Sequence, residues 1–145
     1  MQNTDSQNKQ VGKIHLIVGR AGSGKSKYLH NYSINKCIPI LNLDEILGKK
    51  IPKDKDSQYV YGFIDGFLST YKPTEILIDK KSILYDKDSN IDILGFFKKI
   101  AKEKTVIATW NGYTKDGILY HLNNNQEVDA QYNLSEHDIM YTEIF

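Results

Sequence analysis

The sequence predicts an α/β domain in which a mostly parallel sheet is flanked by helices in three layers. Three observations predict it. Short apolar, β-branched runs recur at Ile14–Val18, Ile76–Ile78 and Thr105–Ala108, and their near-continuous apolar character suits strands buried on both faces. Segments with helical spacing alternate with these runs, as parallel crossovers require. A glycine-rich turn separates the first strand from the first helix.

Residues 1–11 read as a disordered polar lead-in, leaving 12–145 as one domain. The first strand covers Lys13–Val18, and a helix follows from about Gly24 to Ser33. A second strand is expected at Ile38–Leu43, with Asp44 capping a short helix through Leu47. Lys49–Asp56, charged and interrupted by Pro52, reads as a loop. Val60, Phe63, Ile64, Phe67 and Leu68 mark a helix over Ser57–Tyr71, weakened by Gly62 and Gly66 and ended by Pro73. Glu75–Asp79 is a third strand ending in a carboxylate. After a turn-rich stretch at Asp86–Asn90, a helix spans about Ile91–Lys102. Thr105–Thr109 is a fourth strand, with a turn at Asn111-Gly112. Ile118–Leu122 and Ile139–Phe145 form short strands of a C-terminal β extension, separated by a polar turn at Asn123–Gln126.

Composition excludes several classes. The chain has 145 residues, a net charge of +1, 40% apolar and 26% charged residues. That is a globular mix without the basic excess of a general nucleic-acid binder; a local DNA contact remains open but is not indicated by charge. One cysteine, Cys37, excludes an internal disulfide framework and is expected to be a buried small hydrophobe. His15, His30, His121 and His137 lack metal-ligand spacing. No apolar run approaches a membrane span and the N-terminus lacks a signal-peptide pattern, so a soluble cytoplasmic protein is expected.

The sharpest signal is Gly19-Arg20-Ala21-Gly22-Ser23-Gly24-Lys25-Ser26, which matches G-x-x-x-x-G-K-[ST] at every fixed position. Glycines let backbone N–H groups turn toward phosphate oxygens, and the N-terminus of the following helix, through Lys27, adds partial positive charge. Lys25 is suited to the β- and γ-phosphates and the Ser26 hydroxyl to Mg²⁺. Asp79, ending a buried strand, is the second candidate Mg²⁺ ligand. The expectation is therefore a three-layer P-loop NTPase fold binding Mg-ATP; no Asn/Thr-Lys-x-Asp guanine-reading motif is present.

The catalytic helpers are less legible. Many such ATPases place Glu directly after the metal-binding Asp, whereas Lys80 and Lys81 follow here. Asp44, Glu45 and Asp86 are alternative carboxylates for orienting water. Thr109 and Asn111, ending the fourth strand, are candidates to sense the γ-phosphate if that strand lies between the two nucleotide-binding strands. Trp110 is expected in the core. Of nineteen basic residues only Arg20 is arginine, so an arginine finger must come from a neighbouring subunit's Arg20, a lysine or a partner. The same scarcity disfavours a nucleoside kinase, which clamps phosphates with several arginines. Lys49, Lys50, Lys53 and Lys55 read as a solvated loop, with nucleic-acid contact as the sharper alternative.

Ile14–Gly19, Ile40–Leu43, Ile76–Asp79 through Ile83-Leu84-Tyr85-Asp86, and Thr105–Gly112 together resemble the small P-loop protein of type III BREX phage-defence systems, the BrxF family. The resemblance runs from about Lys13 to the C-terminus. It implies nucleotide binding at Gly19–Ser26 and Asp79, and a role beside a larger ATPase, a DNA methyltransferase, a phosphatase-like protein and a helicase. The combined expectation is a slow or partner-stimulated ATPase acting as a homo-oligomer or with other BREX proteins. A small-molecule kinase and a non-hydrolysing regulatory subunit are the alternatives.

Overall fold

A computed structural model describes residues 12–47, 57–85 and 91–145; the expectations for residues 1–11, the lysine-rich loop at 49–56 and Asp86 fall outside them. The strands are β1 (Ile14–Gly19), β2 (Ile40–Asn42), β3 (Glu75–Asp79), β4 (Thr105–Lys115), β5 (Ile118–Leu122), β6 (Val128–Asn133) and β7 (Met140–Glu143). The α-helices are α1 (Lys25–Lys36), α2 (Leu43–Leu47), α3 (Ser57–Thr70) and α4 (Ile93–Ala101), with 3₁₀ turns at Ser82–Tyr85 and Leu134–Glu136.

Five strands form an open parallel sheet in the order β2-β3-β4-β1-β7. Alternation along the strands explains why their apolar runs are continuous. Ile17, Leu77 and Ile107 pack with Leu29 of α1 on one face. Their neighbours Leu16, Val18, Ile76, Ile78, Val106 and Ala108 pack with α3 and α4 on the other. Both faces are thus covered, the condition for a parallel sheet. α4 contributes Phe96, Phe97 and Ile100 to the larger core, all fully buried. Among the described residues no helix is long and apolar enough to cross a membrane.

Several boundaries differ from the sequence reading. β4 does not end at Thr109, and Asn111-Gly112 is strand rather than turn. Beyond the parallel sheet β4 pairs antiparallel with β5, placing Gly112 opposite His121. Gly112 is required because a Cβ there would run into the Tyr120 backbone carbonyl. The turn is the two-residue Asp116-Gly117, with both φ positive at 53° and 79°, as a type I′ hairpin demands. β6, missed in the sequence, extends this meander through β5. Val128, Ala130 and Tyr132 alternate with polar residues there, a strand signal that the sequence reading passed over, although none of the strand's residues is fully buried. Asp44 is not the cap of α2: Asn42 Oδ1 accepts the Glu45 N–H at 3.0 Å, and the helix begins at Leu43. Cys37 is exposed rather than buried, because it sits at the α1 C-cap in the left-handed region, φ 58°. Trp110 is fully buried as expected, its indole N–H donating to the Tyr120 carbonyl at 3.0 Å.

Candidate functional site

β4 lies between β1 and β3, so the C-terminal ends of β1 and β3 and the point where β4 leaves its parallel pairing meet at one edge, the usual ligand edge of an open α/β sheet. Gly19 is in register with Asn111, and Ile78 with Ala108, so Asp79 and Thr109 follow side by side. Asn42 pairs with Asp79 and brings the start of α2 to the same edge. The loop after β1 turns through Gly22 and Gly24, at φ 80° and 102°, conformations open to glycine at little cost, and Gly24 caps α1.

A cleft of about 280 Å³ opens along this edge, lined by Gly22, Lys25, Ser26, Asp44, Asp79 and Lys81, among others. Lys25, half-buried, curls back to donate to the Arg20 carbonyl at 2.8 Å. Burial lowers its ammonium pKa, with Lys80 acting in the same sense and Asp79 opposing. Asp79 is 7% exposed. Burial alone would raise its carboxyl, but hydrogen bonds from Thr109, Ser26 and the Lys80 backbone, with the Lys81 charge, outweigh it and hold the group below its ordinary range. Thr109 Oγ1 donates to Asp79 Oδ1 at 2.7 Å, and the Lys80 N–H donates to the same oxygen at 2.8 Å.

The position after Asp79 shows what replaces the expected glutamate. Lys80 adopts φ 50° and is exposed, and the kink turns Lys81 inward. Lys81 is 3% exposed and donates to Thr109 Oγ1 at 2.8 Å. Burial pulls its pKa down to about 7, with Asp79 and Asp44 opposing and Lys25 reinforcing the shift. Sequence reasoning treated it only as a missing base; a lysine two positions after a strand-ending Asp carries no signal of its burial. Asp44 reaches the cleft from α2, where its Oδ2 accepts from the Ser82 hydroxyl at 2.7 Å and backbone N–H at 3.1 Å. Glu45 is exposed and does not line the cleft.

The remaining predicted residues divide. Ala21 and Asn111 line the same cleft. Gly19, Arg20 and Ser23 line a second cleft, also about 280 Å³, between the loop, β4 and the end of β7. There the Arg20 guanidinium lies 4.3 Å from the centroid of Tyr113, whose ring stacks on Tyr120 at 5.0 Å. Ser23 Oγ and Asn111 Oδ1 are buried without a hydrogen-bond partner among the described residues. Lys27 is exposed on α1 and lines neither cleft.

Fold and site together define the class: an α/β protein with a mostly parallel open sheet, helices on both faces, and a polar cleft at the carboxyl edge of its central strands. No protein-family model matches the chain, and no curated protein matches it.

Proposed function

We propose that the chain is a P-loop NTPase domain that binds ATP at Gly19–Ser26. The observation that carries this reading is convergence: the motif loop opens α1, and its Lys25 and Ser26 line one cleft with Asp79, which ends a strand on the far side of β4. The loop's N–H groups and the N-terminus of the 12-residue α1 suit the phosphates. Lys25 leaves the Arg20 carbonyl for a phosphate oxygen.

Ser26 and Asp79 are hard oxygen donors that suit Mg²⁺. Among the described residues no cluster of three His, Cys, Asp or Glu side chains could cage a metal, which fits an ion shared with the nucleotide's own phosphates. When bound, Mg²⁺ would neutralise charge on the transferred phosphoryl group. The nucleotide base has the second cleft, where the Arg20 guanidinium on Tyr113 forms a flat shelf.

Hydrolysis is slow in isolation. Asp44 is the carboxylate placed to orient water, but its Oδ2 is held by Ser82. Turnover needs that contact to open, which a partner or a second copy would do. From the resemblance to the BrxF family we infer that such partners would belong to a BREX defence complex. Phosphate release from ATP, measured alone and with the proteins encoded beside this one, tests the reading: slow release alone and stimulation by partners support it. Fast turnover by the isolated chain contradicts it, and ADP formation without phosphate release would indicate a small-molecule kinase.

A further inference from the structure

We propose that Lys81 contacts the terminal phosphate of the bound nucleotide, serving from within the chain as the cation that distinguishes a triphosphate from a diphosphate. The inference rests on the nucleotide-binding reading and deepens it. Lys81 lies in the cleft wall, where the left-handed turn at Lys80 separates two consecutive lysines, one exposed and one buried. Its ammonium is held by a relay with a defined direction: Lys81 Nζ donates to Thr109 Oγ1, and that hydroxyl spends its proton on Asp79 Oδ1. An ammonium has three donors, so the Thr109 bond fixes its position while leaving hydrogen-bonding capacity for an anion.

Burying an ammonium is costly, and buried ion pairs are often replaceable by apolar residues without loss of stability. A purely structural role is thus a poor reason for Lys81. An anion in the cleft is a better one. The wall presents Lys25, Lys80 and Lys81 against Asp44 and Asp79, a positive balance. The only arginine, Arg20, is stacked on Tyr113 and lines the other cleft. Lys25 leads α1 beside the loop, whereas Lys81 approaches from the end of β3 and the middle of β4. The two lysines thus grip a phosphate chain from different elements, and the phosphate farthest from the nucleoside is the one Lys81 meets.

The test is calorimetric titration of wild type and Lys81→Met with a non-hydrolysable Mg-ATP analogue and with Mg-ADP. The methionine variant is expected to lose about tenfold or more in affinity for the ATP analogue, with ADP changed less than about twofold. As a measurement independent of the variant's folding, the Lys81 side-chain resonance in protein labelled at lysine Cε, assigned by its loss in Lys81→Arg, is expected to shift with the ATP analogue and not with ADP. An unchanged preference between the two nucleotides in Lys81→Met, or a Lys81 resonance identical in both complexes, overturns the proposal while leaving nucleotide binding intact. A wild type that binds neither nucleotide overturns both.

Discussion

Thr109 Oγ1 donates its proton to Asp79 Oδ1 across 2.7 Å, tying the middle of β4 to the end of β3. Both residues are nearly inaccessible, at 2% and 7% exposure. The same hydroxyl accepts from Lys81, so one small side chain aligns an acid and a cation along the cleft.

Replacing that hydroxyl by a methyl group of similar shape leaves two charged groups short of a partner. Thr109→Val is expected to lower the unfolding free energy by about 1–3 kcal/mol, and Thr109→Ser by less than half as much. Urea titrations of the three proteins check this ordering.

Phe97 is fully buried on α4 and meets Trp110 at a ring-centroid distance of 6.4 Å. Phe97→Ala opens a cavity in the larger core and is expected to cost about 3–5 kcal/mol, read as a lower denaturant midpoint. The exposed Cys37→Ser is expected to stay within about 0.5 kcal/mol of wild type.

His121 is fully buried, with Nδ1 2.7 Å from Asp129 Oδ1. An ionised carboxylate only accepts, so Nδ1 carries the proton, and Nε2 is buried without a partner among the described residues. Burial lowers the imidazole pKa, Lys81 acts in the same sense, and Asp129 opposes; the Tyr85 ring packs edge-on against it. With the folded value below the unfolded one, the unfolded chain binds the proton more readily. The His121 contribution is therefore full above about pH 6.5 and declines as pH falls below it, whereas Lys81, lowered from 10.5 to about 7, makes stability rise further with pH between those two values. His15 is lowered by burial and adds in the same sense. Melting temperatures across this range are expected to fall with acid, and His121→Asn is expected to flatten the decline while starting from a lower value.

If the second cleft receives the base, Tyr113→Ala removes the support under Arg20. ATP affinity is expected to fall about fivefold or more, while inorganic triphosphate binds as to wild type. Competition titrations with the two ligands check it.

Much of this was legible from local pattern. The loop Gly19–Ser26 and the strand ending at Asp79 follow from residue type and spacing, and the structure places both at one edge. What depends on non-local pairing was not. That β4 runs on past Thr109 follows from its partner β5, and the Asn-Gly pair resembles a turn until Gly112 is seen against the Tyr120 carbonyl. Cys37 beside an apolar run reads as core until the helix end puts it outside. Lys81 looks like one of many surface lysines until a positive φ at Lys80 turns it inward. The assignment of Asp44 to the cleft required β2 and β3 to be paired at their ends.

The most direct test of the account is calorimetric titration of Mg-ATP into the wild-type chain and into Lys25→Ala. Saturable one-site binding to wild type, weakened about a hundredfold or more in the variant, is the predicted result. Absence of binding to the wild type, or equal affinity for both proteins, would contradict nucleotide binding by the Gly19–Ser26 loop.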